Sequence, residues 1–525
     1  MTSVATVCIL TAGKGSRMGS YAQGINKALL PIKQKAVISY IIEKFPAGTE
    51  FVIGLGHLAQ QVRTYLTLAH ADRTFHFVDV DPYEGPGSGP GYSLLSCAPH
   101  LNTPFYFVSC DTLWLNDLDL SVQENWFGVA AVEQAESKNY CNFEITDGII
   151  TGIKDKQLAA APVHKAFVGL CFIKDHELFF KSLREKTAIA GEHQVSNGIR
   201  ALVATGKARA LDISWVDVGN SAQYQAAVAK FENFDFSKSD EFLYIVNGRV
   251  IKFFNDASIT AKRVERARFK PAAFPAIESQ QGQFYSYRFL NGETLYKHNS
   301  PALLKDLLKW LKQDFWTPAQ VPAAEVEKVC HKFYYDKSME RLDMYRRKYN
   351  ISDGQSRVNG TDIPSTAQLI ERLPWNDLNQ GVAVFVHGDL QFDNILYDPA
   401  QQKFILLDWR QDFAGQLNWG DLYYDLAKML GGTILNYDLI KKNLLWYDEQ
   451  EGEITIDFAQ RFLSDDYGRV LAEFVRANGW DMNKVRTLTG LIYLNMAPLH
   501  HAPFDRMLYS LGRLMLWRQI NEKSH

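Results

Sequence analysis

The chain has 525 residues, of which 46% are apolar and 22% charged, with 56 Lys and Arg against 59 Asp and Glu for a formal net charge of -3. That length exceeds what one hydrophobic core supports and implies two or three domains. The near-neutral balance argues against a general nucleic-acid binder, and no apolar run reaches the roughly 20 residues a bilayer crossing needs. The opening run 4–10 is too short for a signal core and lacks a basic leader, so it reads as a buried first strand. The six cysteines show neither CxxC nor metal-ligand spacing and are expected as buried reduced thiols of a cytoplasmic protein.

In chain order, strands are expected at 7–10, 50–54, 75–80, 105–109, 127–132 and 211–213, with helices at 36–44, 60–67 and 222–231. This alternation is that of a parallel α/β layer. Residues 232–240 are polar and aperiodic and mark a boundary. Immediately beyond, 241–246 and 249–254 flank Asn247-Gly248, a strong hairpin signal. From about residue 301 the pattern turns helical, broken by strands at 382–386 and 404–407, while 352–365 reads as a loop.

Two strings carry phosphate chemistry. Ala12-Gly13-Lys14-Gly15-Ser16-Arg17-Met18 follows the first strand, and glycines there let backbone N–H groups approach phosphate oxygens beside a forked donor from Arg17. No GxxxxGK[ST] is present, which excludes a P-loop. With Asn26-Lys27-Ala28-Leu29, this string resembles the sugar-nucleotide and phosphocholine nucleotidyltransferases, although Asn26 stands where that family usually has proline. Gly87-Ser88-Gly89-Pro90-Gly91-Tyr92-Ser93 resembles the family's base-recognition loop, and Ser109-Cys110-Asp111 and Trp215-Val216-Asp217 its metal-carboxylate segments. The resemblance implies that Gly13, Gly15, Arg17, Gly89 and Ser93 hold the nucleotide and Lys27 acts at the α-phosphoryl group. It also implies that Asp111 and Asp217 hold Mg²⁺ and Lys156 contacts the acceptor phosphate.

The second string is His387-Gly388-Asp389-Leu390-Gln391-Phe392-Asp393-Asn394, followed by Asp408 after an apolar run and by Gly420-Asp421-Leu422-Tyr423-Tyr424-Asp425-Leu426-Ala427. Kinase chemistry wants an Asp for the hydroxyl proton and an Asn and a second Asp for magnesium. The string resembles the choline kinase and aminoglycoside phosphotransferase family. That implies Asp389 as catalytic base, Asn394 and Asp408 as metal ligands, Lys252 paired with Glu265 at the phosphates, and Leu290 in the adenine hinge. His500-His501 is not expected to form a metal pair, and Trp409, Trp419 and Trp446 are expected in packing before an ammonium cage.

Together these readings imply an α/β chain: a Rossmann-like nucleotidyltransferase domain with a mixed sheet at 1–232, and a bilobal protein-kinase-like (α+β) domain at 240–525. Within the latter, 240–300 is expected as a small β-rich lobe and 301–525 as a helical lobe. The expected function is ATP-dependent phosphorylation of a small alcohol followed by transfer of a nucleotidyl group, CMP from CTP, for capsule, glycan or lipid headgroup synthesis. An anomeric sugar kinase joined to a uridylyltransferase using UTP is the chemical alternative. A nucleotide sensor with one degenerate domain is the alternative of another class. The partners are Mg²⁺, nucleoside triphosphates and the alcohol, and a homo-oligomer is left open.

Overall fold

The computed structural model describes residues 5–159, 163–185, 188–189, 191–231, 240–298, 300–460 and 464–522. Except for Asp240, the boundary segment expected at 232–240 lies outside the described residues. The chain divides into two compact units, Met1–Glu232 with Ser239–Asn255, and Asn233–Lys238 with Asp256–His525.

The first unit is built on a nine-stranded mixed sheet: β1 (Thr6–Leu10), β2 (Glu50–Leu55), β3 (Thr74–Asp79), β4 (Phe105–Ser109), β5 (Trp126–Glu133), β6 (Cys141–Thr146), β7 (Ile149–Asp155), β8 (Val163–Ile173) and β9 (Arg209–Asp212). The spatial order is β3-β2-β1-β4-β8-β5-β9-β7-β6. Strand β1 lies parallel between β2 and β4, with Cys8 opposite Val52 and Phe107. It is a continuous apolar run because helices cover both faces of such a strand. Cys8, Val52, Leu94, Phe105, Phe107, Phe127, Cys171 and Phe179 share one core. The cysteines at 8, 97, 110, 171 and 330 are buried free thiols, and Cys141 is half-buried.

Two features of this sheet depart from the sequence reading. The strand at 127–132 does not continue directly from 105–109, because β8 is inserted antiparallel between β4 and β5. The β6–β7 hairpin, turning on Asp147-Gly148 with φ of 50° and 78°, was not expected, although Asp-Gly between apolar runs is its signal.

The hairpin Glu241–Val246/Arg249–Phe254 forms as expected and packs within the first unit. Tyr244 donates its hydroxyl to Leu29 O at 2.7 Å and sets its ring 4.8 Å from Tyr65. Ile245 N donates to Gln34 O at 2.7 Å, and Asn247 Nδ2 to Ala69 O at 2.9 Å.

The second unit contains the helix Ala257–Phe269, the hairpin Ile277–Gln281/Phe284–Arg288 and a mainly helical remainder, including Lys337–Tyr349, Leu422–Ile434, Met482–Met496 and Phe504–Glu522. Strands Ile395–Asp398 and Lys403–Leu406 pair antiparallel and carry the second string. The expected loop at 352–365 instead holds the strands Ser356–Val358 and Thr361–Ile363, turned on Asn359-Gly360. Among the described residues no helix is long and apolar enough to cross a membrane.

Candidate active sites

In the first unit the geometry follows from strand order. β1 and β4 are adjacent and parallel, and the chain leaves β1 towards β2 on one side before returning to β4 on the other. The loops after β1 and β4 therefore open at a topological switch point, where ligand crevices form in α/β sheets. The Gly-rich turn follows β1 and Asp111 follows β4. Gly15 adopts φ 66° and accepts from Met18 N at 2.8 Å. A Cβ on Gly13 would meet no protein atom within 4 Å, so the backbone there is open to a close approach.

Asn26 explains how this chain manages without the usual proline. Its Oδ1 accepts from Ala28 N at 3.0 Å. Its Nδ2 donates to Thr11 O at 2.9 Å and to His57 O at 2.7 Å. One buried amide thus caps a short turn and ties it to two loops at the sheet edge. That turn aims Lys27, whose Nζ lies 2.7 Å from Asp111 Oδ2.

Asp217 reaches the same place from the other end of the unit. Strand Trp215–Asp217 pairs antiparallel with Thr112–Trp114, putting Asp217 opposite Thr112, and Val218 N donates to Asp111 O at 3.2 Å. The two carboxylates converge on Gly219, where a Cβ would fall 2.9 Å from Asp217 Oδ1, 3.3 Å from Asp111 Oδ2 and 3.7 Å from Arg17 Nη2. Tyr140, which the motif reading missed, donates its hydroxyl to Asp217 Oδ2 at 2.8 Å.

Electrostatics separates the pair. Burial pushes the Asp111 carboxyl up, but Lys27 and Arg17 outweigh it and hold it below the usual range. Asp217 is raised by burial and then by the charge on Asp111. Burial opposes the charge on Lys27, yet Asp111 keeps its ammonium above the ordinary value. Two adjoining carboxylates with unequal proton affinity are a donor set suited to a hard divalent cation.

The expected base loop is in part a helix, Pro90–Cys97, which holds Ser93 in its first turn and has Gly89 as its N-cap, and it packs against residues 192–194. A Cβ on Gly89 (φ 129°) would come 2.7 Å from His193 O, and Ser93 Oγ donates back to Gly89 O at 3.1 Å. Lys156 (φ 51°) places its Nζ 3.3 Å from Glu192 Oε2 beside that loop. Lys154 turns instead to Glu144 on the sheet surface.

In the second unit Asp389 and Asn394 share one turn. Asn394 Nδ2 donates to Asp389 O at 2.9 Å and lies 3.4 Å from Asp389 Oδ2. Leu407 N donates to Asn394 O at 2.7 Å, bringing the following residue, Asp408, beside it. Asp408 holds φ 54°, a left-handed conformation unusual for a non-glycine residue. Its Oδ1 pairs with Arg263.

The turn is hung from a buried acid. Asp425 accepts from His387 N and Gly388 N, each at 2.8 Å, and from Trp316 Nε1 at 3.0 Å. Burial raises its carboxyl to about 6 against those hydrogen bonds. His387 is lowered to about 4, chiefly by burial, so it is neutral at neutral pH. Its Nδ1 accepts from Asp389 N at 3.2 Å, and its Nε2 lies 2.9 Å from Leu407 O. Asp389 is half-buried; desolvation pushes its carboxyl up, yet Lys428, 2.8 Å from its Oδ1, outweighs this and holds it at about 2.

Glu265 is not turned inward, contrary to the sequence reading. It is exposed on Ala257–Phe269, whereas Arg263 and Arg266 are buried. Arg263 takes Asp408, and Arg266 donates to the carbonyls of Val386, Arg410 and Leu417. Lys252 is buried on the hairpin strand counted with the first unit, opposite Leu243. Leu290 is half-buried after strand Phe284–Arg288. Trp409 is wholly buried and donates to Arg263 O, Trp419 is buried, and Trp446 is exposed on a hairpin strand. Among the described residues no group of three or more His, Cys, Asp or Glu converges, His500 and His501 included.

The fold is a mixed-sheet α/β unit followed by a mainly helical kinase-like unit. Residues 7–121 match the MobA-like NTP transferase domain, and residues 254–473 match the phosphotransferase enzyme family. The first half thus matches a nucleotidyltransferase family model and the second half a phosphotransferase family model. It is 22% identical over 257 residues to the bifunctional protein GlmU of Methanococcus maripaludis, covering 48% of this chain and 58% of that protein. To the Methanocaldococcus jannaschii protein of the same name it is 23% identical over 218 residues, covering 40% and 50%. The chain therefore spans about half the length of these curated relatives. Similar solved structures include UDP-glucose pyrophosphorylase complexed with UDP-glucose, at 20% identity and TM-score 0.38, covering 43% of this chain and 98% of that one. The Acinetobacter baumannii UDP-glucose pyrophosphorylase is 17% identical with TM-score 0.37, covering 43% and 93%.

Proposed function

We propose that this chain performs two consecutive transfers: phosphorylation of a small alcohol by ATP, then coupling of that phosphate to a nucleotide, CMP from CTP. The observation that carries the reading is that each unit holds its own pair of metal-type ligands beside a lysine-paired Asp. These are Asp111 with Asp217 at Lys27 in one, and Asn394 with Asp408 beside the Lys428-paired Asp389 in the other. We assign nucleotidyl transfer to 1–232 and phosphoryl transfer to 240–525.

Asp111 and Asp217 would hold one Mg²⁺, and Asn394 and Asp408 another; bound there, the ion neutralises triphosphate charge. In the first transfer the alcohol oxygen bonds to the γ-phosphorus, the bond to the β-bridging oxygen breaks, and ADP leaves. Asp389, ionised at neutral pH, takes the hydroxyl proton. In the second, an oxygen of the new phosphate attacks the α-phosphorus of the triphosphate and pyrophosphate leaves. Lys27 stabilises the α-phosphoryl oxygens, and the Gly13–Gly15 backbone with Arg17 holds the β- and γ-phosphates. Gly89 and Ser93 shape the base loop, and Lys156 meets the acceptor phosphate.

The test is product mass after incubation with ATP, Mg²⁺, each nucleoside triphosphate and a panel of alcohols; UTP in place of CTP would redirect the second step to uridylyl transfer. Asp111→Ala is expected to cut pyrophosphate release about 1,000-fold while sparing ADP formation, and Asp389→Ala the reverse. Loss of both activities in either folded variant overturns the independent-site reading, and ATP and CTP bound without turnover would mark a sensor.

A further inference from the structure

The kinase-like unit gathers positive charge near Asp389. Lys428 Nζ holds Asp389 Oδ1 at 2.8 Å and is itself nearly buried. Lys337 places its Nζ 4.2 Å over the Phe333 ring and 5.6 Å from the Tyr424 ring. Among the described residues Lys337 has neither a hydrogen bond nor an ion pair. Arg410 lies over the same Phe333 ring at 5.1 Å, and its buried Nε lacks a hydrogen-bond partner. Arg410 is anchored to the catalytic turn, since its N donates to His387 O at 3.0 Å and its Cβ would lie 2.7 Å from a Cβ placed on Gly388. The aromatic floor is rigid, with Phe333 stacked 3.9 Å from Phe413 and edge-on to Tyr424 at 4.8 Å.

Lys337 feels Arg410, Lys428 and Arg341 as like charges and Asp389 as the opposing one. The nearby Asp412 is engaged by Lys262 at 2.9 Å. Gathering cations in low dielectric is unfavourable unless an anion joins them. Burial and these neighbours push the Lys337 ammonium well below its ordinary range, and an anion placed beside it would favour its charged form.

Resting on the kinase reading above, we propose that the alcohol phosphorylated by this unit carries its own anionic group, a carboxylate or a phosphate, seated on Lys337 and Arg410 while its hydroxyl meets Asp389. Asn394 lies towards Asp389 Oδ2 and is assigned with Asp408 to the nucleotide, while Lys428 holds Oδ1 and is assigned to the acceptor side. The same geometry disfavours a quaternary ammonium beside Phe333, because Lys337 and Arg410 already lie 4.2 Å and 5.1 Å from that ring's centroid. Choline-like acceptors, among those considered from the sequence, therefore fall away. The hydroxyl oxygen bonds to the γ-phosphorus, its proton passes to Asp389, and ADP departs with the bridging oxygen.

The experiment compares acceptors on one skeleton with the full-length protein: glycerol, glycerate and glycerol 3-phosphate, with choline as the cation. Binding is read by calorimetry in the presence of a non-hydrolysable ATP analogue, and turnover by ADP release. Glycerate or glycerol 3-phosphate is expected to bind at least about 10-fold tighter than glycerol or choline, and the stronger of the two identifies the anion. Lys337→Met is expected to weaken that binding about 10-fold and raise KM more than it lowers kcat, and Lys337→Arg to restore it. Equal or tighter binding of glycerol or choline, no binding of either anion, or an unchanged affinity in Lys337→Met overturns the inference. ADP release with glycerol or choline alone would sink it while leaving the kinase reading intact. Anion binding without ADP release from any acceptor would support the anion site and sink the kinase reading.

Discussion

Gly219 shows how closely the Asp111–Asp217 pair depends on one missing methyl group. Its backbone needs no unusual φ, yet a Cβ there would fall 2.9 Å from Asp217 Oδ1 and 3.3 Å from Asp111 Oδ2. Gly219→Ala is expected to displace both carboxylates and reduce nucleotidyl transfer about 100-fold, since a small misplacement of catalytic groups carries a penalty of that order. Stability should change little, because Asp217 is only part-buried and its carboxylate can shift while keeping its bond from Tyr140. Pyrophosphate release beside a thermal melt checks this, and an active Ala variant would show that the carboxylates act further apart than their present positions. The convergence of Lys27, Arg17, Asp111 and Asp217 was legible in the sequence because such glycines, carboxylates and basic residues fall in short strings at strand ends. Lys428, Tyr140 and Arg263 were not, since each is brought in by an element distant in the chain and nothing in its own neighbourhood announces a partner. Lys428 directly follows the quoted 420–427 string, and that adjacency was the available signal.

Elements position these groups through phase and capping. Asp256 caps Ala257–Phe269 by accepting from Ser258 N at 2.8 Å. At about 100° per residue this puts Arg263 inward and Glu265, two positions on, roughly opposite. A charged run of both signs could not reveal that phase, and so the expected partner of Lys252 was placed on the wrong face. Asn26 is the counterpart in the first unit, one side chain holding the short turn that aims Lys27. Asn26→Ala is expected to destabilise the protein by about 2–3 kcal/mol, through a lost cap and two carbonyls left without their donor. It should also lower nucleotidyl transfer more than kinase turnover. Urea unfolding and the two product assays decide it, and an unchanged midpoint would show that the loops hold without the amide. The unexpected strand β8 has a different origin, because its place between β4 and β5 is a long-range pairing that strand patterns do not encode.

At the scale of the molecule, the α/β and helical halves were legible from the alternation of runs, and the boundary was sought in the polar segment before residue 241. The first hairpin beyond that segment packs within the first unit, where Tyr244 covers Tyr65 and satisfies Leu29 O. Sequence could supply the hairpin but not its neighbour, since alternation states which face is apolar and not what it meets. A fragment of residues 1–255 is accordingly expected to melt about 6 °C or more above one of 1–232, reflecting ~3 kcal/mol of burial and hydrogen bonding. Calorimetry of the two fragments measures this, and equal melting temperatures would show the hairpin to be dispensable there.

The placement of the glycine turn and Asp111 on neighbouring parallel strands has a consequence for redesign. The separation of their anchor points is fixed by the ladder joining β1 to β4, at about 5 Å between strands, whatever the loops beyond contain. Segments such as 80–92, which shape the rim, can be exchanged for others without retuning that spacing. A library confined to the rim should change which base and acceptor are chosen while the reactive geometry is inherited unaltered.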